Sequence, residues 1–156
     1  MTEPFAIAPL GALDLDRAAA LHAESFGPLG ERAWTRQDLA ALVASPGVAG
    51  LLLQIDGHDA GLAVCRVAAD EAELLTIAVR PAHRRKGAAR RLLAAVVDQV
   101  RASGARTLFL EVGVDNPAAR SLYDAEGFCA VGERRAYYQR GQGVAADGII
   151  MRLTLI

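Results

Sequence analysis

The chain has 156 residues and a formal net charge of −1, with 53% hydrophobic and 22% charged residues. This length fits one ordinary domain, and this composition excludes an intrinsically disordered chain because it supplies enough apolar surface for a buried core. The near-neutral charge argues against broad attraction to nucleic acid or to an anionic membrane. We therefore predict a single domain over residues 1–156 that binds neither.

The sequence predicts no targeting or membrane segment. The N-terminus has an early acidic residue and no basic flank, and no apolar run approaches the ~18 residues of a membrane span, so we expect a cytoplasmic protein. Cys65 and Cys129 each lie in a strand-like apolar run, which predicts buried reduced thiols without a disulfide or a metal. His22, His58 and His83 lack metal-ligand spacing, and we expect them on the surface or in loops.

The first half of the chain predicts a strand, two helices and three further strands. Apolar residues at helical spacing indicate a helix over 13–26, and Thr35 stands where an N-cap would open a second helix. Three apolar segments follow, separated by the turn sequences DGHD and ADEAE, which suits an antiparallel meander. The predicted strands cover residues 5–8, 47–56, 59–70 and 71–80.

The second half predicts two helices and three more strands. From residue 87, apolar residues recur every three or four positions up to Gly104, the pattern of an amphipathic helix. A shorter helix has Asn116 as N-cap, Pro117 at its first position and Gly127 just past its end. The element order β-α-α-β-β-β-α-β-α-β-β indicates an α/β (α+β) fold. The predicted strands cover residues 105–113, 129–138 and 148–156.

One short stretch concentrates the positive charge of the chain. A predicted strand runs through RRKGAA into a helix, and small residues at a helix N-terminus let backbone N–H groups approach a phosphate closely. Basic side chains oppose the helix dipole there, so a solvated basic helix start is the less favoured alternative to a pyrophosphate site. Six of the 17 lysines and arginines lie between residues 80 and 91: Arg80, Arg84, Arg85, Lys86, Arg90 and Arg91.

The stretch RRKGAA lacks the motifs of the nucleoside-triphosphatase and dinucleotide-binding phosphate loops. It resembles the R/Q-x-x-G-x-G/A signature of the GCN5-related N-acetyltransferases (GNAT), and the resemblance covers nearly the whole chain in the same element order. LLTIAVRPAHRRKG, LFLEVGVDNPAARSLYDAEGF, RRAYY and ADGIIMRL together resemble the RimI subgroup, which acetylates the N-terminal alanine of a small-subunit ribosomal protein. The resemblance implies a mixed, mostly antiparallel twisted sheet flanked by helices, with acetyl-CoA as cosubstrate and no metal.

The same resemblance implies where acetyl-CoA binds. In the family, the backbone of one strand pairs with the pantetheine arm, an ordinary use of a strand edge, and the following loop holds the pyrophosphate. Ala89 replaces the more usual glycine, and we expect a slightly tighter fit. The matching residues are Ile77, Ala78, Val79, Arg84, Arg85, Lys86, Gly87, Ala88, Ala89, Arg90 and Asn116.

Acyl transfer from a thioester to an amine requires a proton acceptor at the amine and a proton donor at the thiolate. By resemblance, Glu111 matches the general base and Tyr123 matches the proton donor. The alternative for Glu111 is a salt bridge with Arg106 or Arg120, and the alternative for Tyr123 is a core aromatic. Neither cysteine has a nearby histidine in sequence, so direct transfer is favoured over an acetyl-enzyme.

The predicted acceptor side rests on aromatic residues. Tyr137 and Tyr138 match a tyrosine pair that borders the peptide slot of RimI-like enzymes, and hairpin packing is the alternative. Trp34 precedes Thr35 as an aromatic precedes serine in that subgroup, but without the adjacent proline. These features favour a protein N-terminus as acceptor, possibly that of a ribosomal protein, and a monomer or weak dimer. A small-molecule amine acetyltransferase and a noncatalytic acyl-CoA sensor are the alternatives.

Overall fold

The computed structural model describes residues 4–26, 34–140 and 144–155, and the side chains of all of these except 136–146. The α-helices of these ranges are α1 (Leu15–Phe26), α2 (Arg36–Val43), α3 (Ala88–Ala102) and α4 (Pro117–Ala125). Among them, none is both long and apolar enough to cross a membrane. The strands are β1 (Phe5–Pro9), β2 (Val48–Ile55), β3 (His58–Ala68), β4 (Glu71–Val79), β5 (Thr107–Gly113), β6 (Cys129–Arg140) and β7 (Val144–Thr154).

These strands form a mixed sheet in the order β1-β2-β3-β4-β5-β7-β6. Strands β2, β3 and β4 form the predicted antiparallel meander, β1 pairs antiparallel with β2, and β7 is antiparallel to both β5 and β6. Only the pair of β4 and β5 is parallel among the described strands. A parallel pair needs a crossover, and α3 supplies it. The predicted element order and the mostly antiparallel sheet are confirmed.

Helices cover both faces of the sheet, and each face has its own core. Helices α3 and α4 pack over one core, in which Leu92 of α3 meets Leu53 and Leu108 of the sheet. Helices α1 and α2 pack over the other, where Leu21 and Leu39 meet Leu62 of β3. Successive residues of a strand project to opposite faces, so β3 contributes to both cores.

The predicted helix caps are present. The Thr35 hydroxyl accepts a hydrogen bond from the Asp38 backbone N–H at 3.1 Å, and the Asp38 carboxylate accepts one from the Thr35 N–H at 2.9 Å. Asn116 caps α4 through the Ala119 N–H at 3.2 Å, with Pro117 in the first turn. Such caps satisfy donors that have no partner inside the helix, and they fix where α2 and α4 begin.

Two sequence-based expectations were wrong. His22 was expected on the surface, but it lies on the buried side of α1 and is 3% exposed. Its position in the apolar repeat of α1 turns the ring toward the core. The ring can be buried there because both of its nitrogens have hydrogen-bond partners. Cys129 was expected to be buried but is exposed, because β6 forms the edge of the sheet. Cys65 is buried as predicted.

Candidate active site

The two parallel strands separate after a short contact, and the separation opens a cleft in the sheet. Pairing between β4 and β5 covers only Glu71 to Glu73 with Thr107 to Phe109. Strand β4 continues to Val79 along β3, and β5 continues to Gly113 along β7. Beyond these pairs, the facing edges of β4 and β5 pair with no other described strand. An unpaired edge of this kind can template an extended ligand through backbone hydrogen bonds.

The predicted cosubstrate strand residues lie on this unpaired edge. Ile77, Ala78 and Val79 form the last part of β4, after its contact with β5 has ended. Their other edge is occupied by β3, where Ala78 pairs with Leu62. The backbone of this segment therefore has one edge available to a ligand bearing amide groups.

The loop between β4 and α3 turns sharply at two residues with positive φ. Arg85 has φ 64°, which is uncommon for a residue with a side chain, and Gly87 has φ 81° as the N-cap of α3. No side chain caps this helix and its first turn has no acidic residue. The N–H groups of Ala88, Ala89 and Arg90 lie in the first turn and lack intrahelical acceptors, so this end of α3 suits a phosphate.

The basic residues of the loop fall into two groups. The Arg84 guanidinium donates to the backbone oxygens of Val79 at 3.1 Å and Ser25 at 3.4 Å, so it ties the loop to β4 and α1. Arg80 likewise donates to the Asp59 backbone oxygen. These contacts give part of the basic cluster a role inside the protein, a role that charge density alone did not reveal.

The remaining basic side chains of the loop face solvent at the start of α3. Arg85 and Lys86 are exposed. Arg90 forms an ion pair with Glu126 at 2.9 Å, at the end of α4. An exposed pair of this kind contributes little to stability, so its guanidinium can turn to a phosphate at small cost. The predicted phosphate-binding residues thus lie together around one helix end.

Helix α4 places Tyr123 against the core on the α3 side of the sheet. Tyr123 is 5% exposed, and its ring packs edge-on against Phe128 with 5.7 Å between ring centroids. Burial raises the pKa of its phenol to about 12. The phenol is therefore protonated at neutral pH and is able to donate a hydrogen bond.

Glu111 lies in the part of β5 that no longer pairs with β4. Leu110 and Val112 are buried on the α3 side, so Glu111 projects from the opposite face, where α1 and α2 pack. Its Oε1 accepts a hydrogen bond from a guanidinium nitrogen of Arg134 at 2.8 Å. Its Oε2 is buried and has no hydrogen-bond partner among the described residues.

The sequence-based alternative for Glu111 named the wrong arginines. Arg120 pairs with Asp124, one turn along α4, and the partner of Glu111 is Arg134 on β6. The pair joins strands that are not adjacent in the sheet. No local spacing signals such a contact, because it depends on β7 lying between β5 and β6.

His22 of α1 holds the backbone at Trp34, just before α2 begins. Its ring stacks on Trp34 at 4.9 Å between centroids, and its Nδ1 accepts a hydrogen bond from the Trp34 N–H at 3.1 Å. Nε2 lies 3.5 Å from the Thr76 hydroxyl of β4. Because Nδ1 accepts, the neutral ring carries its proton on Nε2 and donates to Thr76. Burial lowers the pKa of His22 to about 4.

Two predicted acceptor features fall outside the described part of the chain. The side chains of Tyr137 and Tyr138 are among these, although their backbone belongs to β6. Residues 27–33, which precede Trp34, are also outside it. A groove of about 460 Å³ lined by Val48, Cys65 and Gln99, among others, contains none of the predicted site residues.

Residues 15–128 match the sequence profile of the Acetyltransferase (GNAT) family. The chain belongs to this family. It is thus an N-acetyltransferase, and the resemblance that the phosphate loop indicated is confirmed. The match runs from α1 through α4, so it includes the separated strands, the loop before α3 and Glu111.

Individual GNAT relatives share its sequence closely. The ribosomal protein bS18-alanine N-acetyltransferase of Haemophilus ducreyi is 41% identical over 93 residues, which are 60% of this chain and 64% of the relative. The matched segment thus spans less than two thirds of that relative. The N-alpha-acetyltransferase RimI of Mycobacterium tuberculosis is 36% identical over 155 residues, which are 97% of this chain and 93% of the relative.

A solved GNAT structure has the same architecture. The crystal structure of the ribosomal-protein-S18-alanine N-acetyltransferase from Escherichia coli superposes with a TM-score of 0.87 at 32% identity. The superposition covers 97% of this chain and 94% of that one. The likeness therefore extends beyond the family profile to β6 and β7, the strands that carry Arg134 and the tyrosine pair.

Proposed function

We propose that the protein transfers the acetyl group of acetyl-CoA to the N-terminal α-amine of a protein. The N-terminal alanine of a bS18-like ribosomal protein is the first acceptor to test. A relative that matches most of the chain is named an N-alpha-acetyltransferase, and a solved relative of similar length is named a ribosomal-protein-S18-alanine N-acetyltransferase. The cytoplasmic location expected from the sequence is part of this proposal.

One observation supports the mechanism: Glu111 has a buried carboxylate oxygen that no described residue contacts by a hydrogen bond, in the part of β5 that borders the cleft. Buried polar atoms normally have hydrogen-bond partners, so an exception inside a cleft is a candidate contact for substrate. An amine or its bound water would supply the missing donor. Glu111 is assigned as the general base on this ground.

The proposed reaction is a direct transfer. The amine nitrogen forms a bond with the thioester carbonyl carbon, and a proton from that nitrogen passes to Glu111, directly or through water. The carbon–sulfur bond then breaks, and CoA leaves as a thiolate that takes up one proton. A free α-amine has a pKa of roughly 8, so a modest base suffices to produce the attacking form near neutral pH.

Tyr123 is assigned as the hydrogen-bond donor to the departing sulfur. With its pKa raised to about 12, full proton transfer to a thiolate of pKa roughly 8.5 is uphill by about 5 kcal/mol. A hydrogen bond to the developing charge avoids this cost and still stabilises the leaving group. The phenol is thus better suited to donate a hydrogen bond than to give up its proton.

The cosubstrate is assigned to the unpaired edge of β4 and to the N-terminus of α3. The backbone of Ile77 to Val79 offers hydrogen bonds to the pantetheine amides, and the N–H groups after Gly87 face the pyrophosphate. Arg85, Lys86 and Arg90 add charge at the rim, and Arg84 holds the loop in place. Asn116, which caps α4, remains assigned to the same ligand.

A direct test is CoA release from acetyl-CoA with a panel of peptides that differ in their first residues. The panel includes one peptide that begins as bS18 does, with spermidine and free lysine alongside. We expect rapid turnover of one peptide class and a fall in kcat of roughly 100-fold or more in Glu111→Gln. Gln keeps the size of the side chain, and unchanged thermal unfolding would show that the fold survives.

Other outcomes assign other functions. Turnover of spermidine or lysine alone would contradict the N-terminal acceptor and indicate a small-molecule acetyltransferase. Tight acetyl-CoA binding without turnover of any acceptor would indicate an acyl-CoA sensor. Wild-type kcat in Glu111→Gln with an active peptide would leave the acceptor in place and refute the assigned base.

A further inference from the structure

Arg134 contacts the proposed base from two strands away. A guanidinium nitrogen of Arg134 lies 2.8 Å from Oε1 of Glu111. The Glu111 side chain is 21% exposed, and that of Arg134 is 50% exposed. Arg134 thus reaches inward from the outer strand to a carboxylate at the border of the cleft.

The register of the sheet explains how this contact forms. Gly113 of β5 is opposite Gly148 of β7, and Gly148 is opposite Arg134 of β6. Glu111 and Gly113 are two residues apart, so their side-chain positions, and those of Gly148 and Arg134, share one face of the sheet. Strands β5 and β6 are about 10 Å apart. A long side chain can cross β7 at Gly148 because glycine leaves that position empty.

We propose that Arg134 is a positioning residue for Glu111, an inference that rests on the proposed role of Glu111 as base. The guanidinium holds Oε1, so the carboxylate has one orientation, in which Oε2 remains buried and ready to accept a proton from the acceptor amine. Without Arg134, the carboxylate rotates among several rotamers and only a fraction of them aim an oxygen at the amine. Small displacements of a reacting group cost large factors in rate.

A role in stability alone explains the contact less well. Ion pairs with a half-exposed partner contribute little to folding, because solvent screens them and side-chain entropy opposes them. Within the described part of the chain, this pair also leaves one oxygen of the carboxylate buried without a partner, which an arrangement serving stability would satisfy. The geometry instead fits a carboxylate held for a substrate.

The first test compares Arg134→Gln with Arg135→Gln. Arg135 is exposed and is the next residue of β6, so its replacement removes the same charge from the same strand. We expect kcat for the best peptide to fall roughly 10- to 100-fold in Arg134→Gln, with KM for acetyl-CoA unchanged. Arg135→Gln should keep wild-type kcat. Arg134→Lys should recover part of the loss, since an ammonium can hold Oε1 with one hydrogen bond.

The second test is a double-mutant cycle with Glu111→Gln. If Arg134 acts through Glu111, adding Arg134→Gln to Glu111→Gln should lower kcat by no more than about twofold further. If the kcat losses of the two single variants multiply in the double variant, or if the loss is confined to the KM of the peptide, the proposal is overturned and Arg134 is an acceptor contact. Wild-type kcat in Arg134→Gln with a strong effect of Glu111→Gln would refute the positioning role alone. Wild-type kcat in Glu111→Gln would refute the base itself.

Discussion

The proposed cosubstrate half and the proposed acceptor half of the site are built in different ways. The cosubstrate half is nearly continuous in sequence, because the end of β4, the loop and the start of α3 lie within residues 77–90. The acceptor half combines Glu111 of β5 with Arg134 of β6, across Gly148 of β7. On the same face, His22 of α1 holds the backbone at Trp34.

This difference has a physical origin. A phosphate is bound by consecutive backbone N–H groups, and a helix N-terminus presents them in one short segment. A general base must be held in one orientation beside a second substrate, and side chains from several elements provide that orientation. Local changes should therefore weaken the cosubstrate half, whereas the acceptor half should respond to changes in long-range contacts.

The largest expected effect is a pH dependence of stability at His22. Burial lowers the pKa of His22 from 6.5 to about 4 in the folded protein. The unfolded chain therefore binds the extra proton first, and stability falls as the pH drops from about 6.5 to 4, by up to about 3 kcal/mol. At pH 7 the ring is neutral in both states and this contribution is absent.

Denaturant unfolding of wild type and His22→Asn between pH 4 and 7 measures this effect. Asn keeps an acceptor for the Trp34 N–H but does not titrate. The contributions of the other ionisable groups to the free energy of unfolding cancel in the difference between the two proteins. We expect the wild type to lose stability relative to the variant as the pH falls. A difference that stays constant over this range would contradict the prediction.

Gly87→Asp should weaken the cosubstrate half. Gly87 has φ 81°, a conformation that side chains rarely adopt, and a carboxylate there faces the predicted pyrophosphate. We expect KM for acetyl-CoA to rise roughly thirtyfold, with a smaller change in the KM of the peptide. Initial rates at several concentrations of each substrate give both constants.

Gly104→Asp is a matched control, because Gly104 follows the other end of α3. It also has positive φ, 92°, and an added Cβ meets nothing within 4 Å at either glycine. Both substitutions therefore place a side chain on backbone with positive φ and should destabilise it to a similar extent. Only Gly87→Asp also places a charge at the helix N-terminus. Equal increases in KM would show that backbone strain, and not phosphate contact, causes the effect.

Tyr123→Phe should lower kcat about tenfold, the loss expected for one hydrogen bond to a charged sulfur. The apolar packing against Phe128 is kept, so KM for acetyl-CoA and thermal unfolding should change little. Steady-state kinetics with the best peptide measures the effect. A loss of 1,000-fold or more would indicate complete proton donation, and unchanged kcat would assign Tyr123 to the core alone.

The smallest expected effect concerns the start of α2. Thr35→Ala removes the cap of the Asp38 N–H and should lower the free energy of unfolding by about 1 kcal/mol, or roughly 2–4 °C in Tm. Thr35→Ser keeps the hydroxyl and should restore most of the stability. Thermal unfolding measures both, and equal losses in the two variants would contradict the assigned cap.

The amino-acid sequence by itself determined the helices and strands and predicted the proposed cosubstrate half. Periodicity of 3.6 or 2 residues and the caps at Thr35 and Asn116 depend on neighbours in the chain, so α2, α3, α4 and the order of the elements along the chain were predictable. The RRKGAA stretch was informative for the same reason, since a phosphate loop is a local structure.

Only the tertiary structure decided the acceptor half. The salt-bridge alternative for Glu111 named Arg106 or Arg120, yet the partner is Arg134 on β6, which is separated from β5 by β7. His22 was expected in solvent for its polarity, but two partners from other elements satisfy its nitrogens. Contacts between elements distant in sequence follow from strand order and register, which residue patterns along one segment do not encode.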